Sequence, residues 1–386
     1  MKKTNYQGYK SGQISKGCQL CILGNKTVLF ITGICLRGCY YCPLPESRKN
    51  KDVVYANERK LSNVNAVNEA IEEARLCSSK GLGITGGDPI LVLDRVERFA
   101  RAFKKAFGKS FHIHIYLPTD RLTKENLERL ARAGIDEIRF HPYFLGKNIK
   151  GETEKIDWAY QLKRKYGWKV GIEIPAVPRT EKETINFLSH VKNIDFLNLN
   201  EFEMPSLDGE ILLKKGMDTI GNSVAIKGSE KTALKVLNAI AKSHPRLSMH
   251  YCSASTKNLY QFKNRLKKRL KNIIKPYDIA TKENNILHGT IYLESTKPMF
   301  SYEKNIEKLR GNKEVIKKLN GLRSILMNEF DIPGKLIEVD KIFLRVLTSV
   351  EIIKSVSGFV KKRGFCPAIV TEIPTYDKII LNLEWI

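Results

Sequence analysis

Strand-like and helix-like patterns alternate through the middle of this chain of 386 residues, and that alternation restricts the fold most. The predicted strands are 27–32, 81–85, 112–117, 135–140, 169–174, 195–200 and 247–251. A helix is predicted over 92–107, and Thr180 with Glu183 predicts a capping box at the start of another. Strands alternating with helices form βαβ units, whose right-handed connections curl a parallel sheet toward a barrel. The chain is therefore predicted to have an α/β fold of six or seven such units.

Three cysteines follow the first predicted strand in the spacing C-x3-C-x2-C, at Cys35, Cys39 and Cys42, with no fourth cysteine close behind. Three thiolates can hold three irons of a [4Fe–4S] cluster and leave the fourth iron open, whereas clusters that only carry electrons are normally closed by a fourth cysteine. The spacing thus predicts a cluster that binds and reduces something. The alternatives are a zinc knuckle using two of these cysteines, or three buried thiols without a metal.

The cysteine run, with Tyr41 directly before its last cysteine, resembles the radical S-adenosylmethionine (SAM) superfamily. The resemblance implies a partial TIM barrel in which Cys35, Cys39 and Cys42 hold the cluster, the open iron binds SAM and Tyr41 lies near the adenine. It also implies that an electron from an external donor cleaves SAM to methionine and a 5′-deoxyadenosyl radical, which abstracts hydrogen from a substrate.

A second motif, Gly86-Gly87-Asp88-Pro89, follows the second predicted strand and resembles the superfamily's GGE motif, which holds the SAM amino group. Asp88 replaces the usual Glu and has a shorter reach. In such barrels the reactive groups come from the C-terminal ends of the strands. By that position, further SAM or substrate contacts are predicted at Arg139, His141, Glu173, Asn198 and Asn200.

A separate cysteine pair, Cys18 and Cys21, precedes the first strand in C-x2-C spacing, which is half of a metal site. Cys252, at the end of the last predicted strand, is the best-placed third ligand. We therefore predict an auxiliary iron–sulfur or zinc site, with His250 or Cys366 to complete it. The alternative is a C-x2-C pair and an unrelated thiol that bind no metal.

The N-terminal block around both cysteine groups, together with ITGGDP, DEIRFHP and MHYCS, resembles archaeal radical SAM proteins related to pyruvate-formate-lyase-activating enzymes. The likeness extends over roughly residues 15–275. It implies a fold and a cofactor but no established substrate.

The net charge of +25 predicts a polyanionic partner, and we expect an RNA base as the substrate. Residues 257–275 contain eight Lys and Arg and no acids, with an apolar stripe at helical spacing that predicts outward-facing basic residues. A lysine-rich surface without a partner is the other interpretation of the charge. The rival functions are a radical SAM enzyme that modifies a protein or small molecule, and a non-catalytic iron–sulfur or zinc protein that binds nucleic acid.

Three domains are expected: an N-terminal extension over 1–26, the barrel over 27–280 and a small α+β domain over 281–386. The last domain is predicted to contain a strand at 289–293, a long helix over roughly 304–329 and a final strand at 378–385. The N-terminus has no apolar signal region and no apolar run is long enough to cross a bilayer, so a cytoplasmic location is expected.

Overall fold

A computed structural model describes residues 1–205 and 209–386, which form two compact units, Met1–Arg265 and Leu266–Ile386. The sequence-based boundary after residue 280 lies later in the chain than this division. The predicted N-terminal extension belongs to the first unit. None of the helices within the described ranges is both long and apolar enough to span a membrane.

The first unit contains an eleven-stranded sheet with helices in the connections between its central strands. Its strands are β1 (Lys2–Lys3), β2 (Tyr9–Ser11), β3 (Lys26–Phe30), β4 (Tyr55–Ala56), β5 (Arg59–Lys60), β6 (Gly81–Thr85), β7 (His112–Leu117), β8 (Glu137–Phe140), β9 (Lys169–Ala176), β10 (Phe196–Glu201) and β11 (Ser248–Cys252). Its helices are α1 (Lys16–Ile22), α2 (Val67–Leu76), α3 (Leu93–Phe107), α4 (Lys124–Ala133), α5 (Ile149–Tyr166), α6 (Glu181–Ser189), α7 (Gly209–Lys214) and α8 (Ser229–Ser243).

Seven of these strands run parallel in the order β3-β6-β7-β8-β9-β10-β11. The two ends of this series do not pair with each other, because antiparallel β2 covers β11 and antiparallel β4 covers β3. The sheet is therefore a partial barrel with covered edges, and the predicted fold class is confirmed.

The two faces of the parallel strands differ in chemistry. On β7, Ile113, Ile115 and Leu117 are fully buried in the main apolar core, and they alternate with His114 and Tyr116 on the inner face. Helix α3 belongs to the same core, where its Val96, Phe99 and Phe103 are fully buried, each contributing about 1.5–3 kcal/mol. The apolar core thus lies between sheet and helices, and the interior of the barrel is polar.

Helix α1 enters this polar interior and packs against strands β3, β6 and β7. Its Gly17 backbone N–H donates to the Glu137 carboxylate (3.0 Å), and Ser15 caps the helix by accepting from the Cys18 N–H. A Cβ at Gly17 would lie 2.3 Å from an Arg139 nitrogen and 2.6 Å from His114 Nδ1. Only glycine lets α1 approach the strands this closely, and this contact places Cys18 and Cys21 inside the barrel.

In the first unit, the start of one helix and the start of one strand differ from the sequence-based prediction. Thr180 does not form a capping box, because its hydroxyl donates backward to the Val177 carbonyl (2.8 Å). Strand β8 starts at Glu137 instead of 135, because the Ile135 N–H still bonds to Leu130 at the end of α4.

The second unit is an antiparallel sheet with helices, in the order β14-β15-β13-β16-β17 and with β12 beside β13. Its strands are β12 (Ile279–Ala280), β13 (Ile286–Leu293), β14 (Ile337–Asp340), β15 (Arg345–Thr348), β16 (Phe365–Glu372) and β17 (Ile380–Trp385). Helix α9 (Lys263–Ile273) crosses the division between the units, and the remaining helices are α10 (Tyr302–Leu309), α11 (Lys313–Glu329) and α12 (Val350–Lys362).

The prediction of one long helix over roughly 304–329 is wrong, because this range contains two helices, α10 and α11. Gly311 takes a positive φ of 81° between α10 and α11, and Asn312 caps α11 by accepting from the N–H groups of Glu314 and Val315. A glycine–asparagine pair inside an apolar periodicity therefore ends one helix and starts the next.

The basic segment is a π-helical stretch, Thr256–Phe262, that continues into α9. The sequence predicted that its basic residues face outward, but not all of them do. Arg265 is 8% exposed and pairs with Glu58, and Arg269 is 4% exposed. Leu259, predicted on the apolar face, is 44% exposed.

Replacing Gly17 with alanine tests the placement of α1. We expect Gly17→Ala to lower the free energy of unfolding by about 1–3 kcal/mol, since the new methyl group meets side chains that are held by ion pairs. Gly321→Ala, at an exposed position of helix α11, is the matched control, because nothing lies within 4 Å of its Cβ, and it should be neutral or stabilising. Equal melting temperatures for both variants, measured by circular dichroism, would contradict the packing described for α1.

Candidate active site

A cavity of about 580 Å³ lies inside the first unit, and its lining includes residues at the C-terminal ends of the parallel strands. Its volume falls in the ordinary range of small-molecule sites, about 300–1,000 Å³. Both cysteine groups line it, Cys35, Cys39 and Cys42 on one loop and Cys18, Cys21 and Cys252 deeper in the barrel interior.

The loop that carries Cys35, Cys39 and Cys42 follows β3 and lies against the loop after β6. The Gly87 N–H donates to the Thr32 carbonyl (2.7 Å), and the Asp88 N–H donates to the Ile34 carbonyl (2.8 Å). A Cβ on Gly86 would lie 2.3 Å from Thr32 O, and one on Gly87 would lie 2.2 Å from Ile34 O. The two glycines are therefore required for the GGDP loop to hold the cysteine loop by its backbone.

Arg37 fixes the same loop from the other side. Its guanidinium donates to the Thr119 hydroxyl (2.9 Å) and to Glu152 (3.4 Å), and it forms an ion pair with Asp120. It also donates to the His141 carbonyl (2.5 Å). Burial lowers the pKa of Arg37, but these carboxylates hold it above the ordinary value. The sequence analysis assigned no role to Arg37, although a charged residue inside the cysteine run was the available signal.

Tyr41 is 3% exposed and lines the cavity between the cysteines and the strand ends. Its ring makes an edge contact with Tyr40 at 5.1 Å between centroids and a tilted contact with His141 at 6.0 Å. This places an aromatic face in the cavity wall, and its contact with adenine stays a prediction.

Asp88 and Pro89 lie beside the cavity wall, and their contact with SAM stays a prediction. Gly86 and Gly87 line the cavity, but neither Asp88 nor Pro89 is among its lining residues. The Asp88 carboxylate caps a short 3₁₀ helix by accepting from the Ile90 N–H (2.9 Å), and Pro89 is the first residue of that helix. The shorter Asp88 side chain therefore caps this short helix.

Arg139 is the centre of a buried polar network that crosses the barrel interior. Its guanidinium pairs with Glu137 (2.6 Å) and with Glu173 (2.7 Å), and it donates to the Tyr116 hydroxyl (3.0 Å). Burial raises the pKa of Glu173, but Arg139 and the surrounding hydrogen bonds outweigh burial and lower it below its ordinary value. Arg139 and Glu173 are therefore a charged pair.

Asn198 and Asn200 complete the network by donating to Glu173 at 2.8 and 2.9 Å. His141 lies just after β8, with its Nδ1 3.2 Å from the Glu173 carbonyl oxygen. Burial and the Arg37 charge lower the pKa of His141 to about 4, so its imidazole is neutral near pH 7. All five strand-end residues predicted from the sequence line the cavity.

The second cysteine group is also brought together inside the barrel. Cys18 Sγ accepts from Asn198 (3.3 Å) and from Arg139 (3.5 Å), while Cys252 Sγ accepts from Gln261 (3.4 Å). Burial raises the pKa of Cys18 to about 12 and raises that of Cys252 as well. His250 shares the inner face of β11 with Cys252, whereas Cys366 lies in the second unit.

Within residues 1–205 and 209–386, no three Cys, His, Asp or Glu side chains converge tightly enough to hold one metal ion. A multi-iron cluster does not need that convergence, since each iron takes its own thiolate. Three half-buried thiols on one loop, held by Arg37 and two glycines beside a cavity, therefore fit a cluster.

Comparison with known proteins identifies the class. The family model described as the radical SAM superfamily matches residues 29–191. A putative glycyl-radical enzyme activating enzyme of Methanocaldococcus jannaschii is 40% identical over 328 residues, which cover 82% of this chain and 83% of the relative.

Two solved structures match more distantly. A radical SAM methyltransferase from Kitasatospora setae is 12% identical, with 69% of this chain and 56% of the methyltransferase covered and a TM-score of 0.37. Coproporphyrinogen III oxidase from Escherichia coli is 12% identical, with 88% and 91% covered and a TM-score of 0.32. TM-scores this low support no inference about this chain.

The chain belongs to the radical SAM superfamily. It is an enzyme that uses a [4Fe–4S] cluster and SAM, and the expected likeness to activating enzymes is confirmed. The non-catalytic alternative is thereby excluded.

Replacing Arg37 tests how the cysteine loop is held. We expect Arg37→Gln to leave Glu152 without its guanidinium partner, to destabilise the first unit by about 1–3 kcal/mol and to lower the iron bound after anaerobic reconstitution. Arg121→Gln, at an exposed position, is the control and should match the wild type. Unchanged iron content and melting temperature in Arg37→Gln would show that the loop does not depend on this residue.

Proposed function

We propose that this enzyme holds its SAM-binding cluster through Cys35, Cys39 and Cys42 and removes a hydrogen atom from a glycine of a partner protein. The observation that carries the proposal is the 40% identity to a putative glycyl-radical enzyme activating enzyme. That similarity covers 82% of the chain, which is more than the whole first unit, so it includes part of the second unit as well.

When bound, a reduced [4Fe–4S] cluster splits SAM into methionine and a 5′-deoxyadenosyl radical, which takes the hydrogen atom and becomes 5′-deoxyadenosine. The chain's own residues have three tasks in this reaction. Arg37, Gly86 and Gly87 hold the cysteine loop in place, Tyr41 forms an aromatic wall for the adenine, and the barrel keeps water away from the reacting atoms.

The outer side of the cysteine loop suits an external electron donor. Leu36 is 62% exposed, and nothing lies within 4 Å of a Cβ built on Gly38. A donor protein can therefore approach the loop tip without disturbing the side that faces the cavity.

The side of the cysteine loop that faces the cavity suits a narrow peptide segment as the substrate. The cavity of about 580 Å³ must hold SAM and the reacting atom together, which leaves little room for a bulky group on the substrate. Glycine has no side chain, and Asn200 and Glu203 in the cavity wall present polar groups suited to peptide amides.

The RNA hypothesis has less support than the sequence suggested. None of the comparisons described above favours it, and part of the basic segment is already used within the protein. Arg265 pairs with Glu58, and Lys257 pairs with Glu203 (2.5 Å), so fewer charges remain for phosphates.

Isotope transfer tests the proposal. Reconstituted enzyme, dithionite and SAM are mixed anaerobically with the protein fraction of the source cells grown on α-deuterated glycine. We expect deuterium in the 5′-deoxyadenosine and a glycyl-radical signal in electron paramagnetic resonance (EPR) spectra. Cys39→Ala should abolish both, and Cys366→Ala, a cysteine of the second unit, should retain both.

Two results would reject this substrate. Deuterium-free 5′-deoxyadenosine with the protein fraction would exclude a glycine donor. Turnover stimulated by the RNA fraction and lost after ribonuclease treatment would restore the RNA hypothesis.

A further inference from the structure

Three cysteines that the SAM site does not use line the barrel interior, and two of them, Cys18 and Cys252, are buried. Cys18 and Cys21 lie on α1, and Cys252 ends β11, far away in the sequence. All three line the cavity, and Cys18 is held there by hydrogen bonds from Asn198 and Arg139. The fold therefore uses a close glycine contact and a buried ion-pair network to place these thiols together.

We propose that Cys18, Cys21 and Cys252, with His250, hold a second iron–sulfur cluster in this cavity. The site is separate from Cys35, Cys39 and Cys42, and its formation does not depend on SAM or on the substrate proposed above.

His250 supplies an independent reason to expect a ligand there. It is 1% exposed, it lines the cavity, and neither of its ring nitrogens has a hydrogen-bond partner among the described residues. A buried polar group left unsatisfied costs about 1–3 kcal/mol. Because His250 and Cys252 alternate onto the same face of β11, one iron–nitrogen bond would satisfy a ring nitrogen beside the third thiol.

Two cations lie near the thiols, although burial raises the pKa values of all three cysteines overall. Arg139 lies 3.5 Å from Cys18, and its positive charge opposes the effect of burial on the pKa values of both Cys18 and Cys21. The Lys257 ammonium does the same for Cys252. Arg139 also pairs with Glu137 and Glu173, and Lys257 with Glu203, so each thiol lies beside a cation that is itself part of an ion pair.

The spacing favours a cluster over zinc. A structural zinc ion needs four ligands converging at about 2.0–2.3 Å, and no such group of three or more exists in the described ranges. Cys35, Cys39 and Cys42 do not converge in that way either. A cluster does not require such convergence, because each of its irons binds its own ligand.

Iron and sulfide analysis of variants tests the site. After anaerobic reconstitution, the Cys35→Ala/Cys39→Ala/Cys42→Ala protein should keep about half of the wild-type iron and acid-labile sulfide, and dithionite should produce an EPR signal. Adding Cys18→Ala and Cys21→Ala should remove the remaining iron. Adding Cys366→Ala should not, because that residue lies in the second unit.

A second measurement keeps the test valid if multiple cysteine variants fold poorly. In the otherwise wild-type chain, His250→Cys should retain the iron but change the EPR spectrum and midpoint potential of one cluster, since a thiolate replaces a neutral nitrogen. An unchanged spectrum and potential would remove His250 from the ligand set.

Three results would overturn the proposal. They are a folded triple variant without iron, zinc in place of iron and sulfide, and a Cys18–Cys21 disulfide detected by mass spectrometry. If the Cys35→Ala/Cys39→Ala/Cys42→Ala protein retains iron while the wild-type enzyme fails to deuterate 5′-deoxyadenosine, the glycine substrate is rejected and the second cluster is supported, so the two proposals fail separately.

Discussion

The buried ion pairs of Arg139 organise the interior of the first unit. The guanidinium is 1% exposed and is balanced by Glu137 and Glu173 from the same and the neighbouring strand. Removing one partner from such a group leaves an uncompensated buried charge, which costs about 3–5 kcal/mol. Since Glu137 also holds Gly17 and Arg139 contacts Cys18, the same charges position α1 and the second cysteine group.

The cysteine loop of the SAM site depends on different contacts. The Gly87 and Asp88 N–H groups donate backbone hydrogen bonds to the start of the loop. Arg37, further along the loop, donates to side chains of the β7–α4 connection and of α5. Separate sets of contacts therefore position the two cysteine groups, although both groups line one cavity. A substitution in one set of contacts need not disturb the other set, so the two sites can be studied separately.

Much of this arrangement follows from sequence patterns. All seven parallel strands were predicted to within a few residues, because strand-like stretches alternate with helical segments along the chain. The strand-end residues were found because parallel strands bring their C-terminal ends together. The placement of α1 was not predicted, since a seven-residue helix carries little periodicity and its position depends on tertiary contacts at Gly17.

Hydrogen bonds and ion pairs of individual side chains explain the sequence-based errors. Thr180 bonds backward, Asn312 starts a helix after Gly311, and Arg265 finds Glu58 far away in the sequence. These outcomes depend on which partner a polar group reaches in the folded chain, so residue periodicity alone could not predict them.

EPR spectroscopy of the reduced wild-type protein, with and without SAM, tests the account most directly. An open iron beside Cys35, Cys39 and Cys42 and a fully ligated cluster beside Cys18, Cys21 and Cys252 should give two signals. We predict that SAM changes only the first of them. A single signal, or two signals that both stay unchanged when SAM is added, would contradict this description of the cavity.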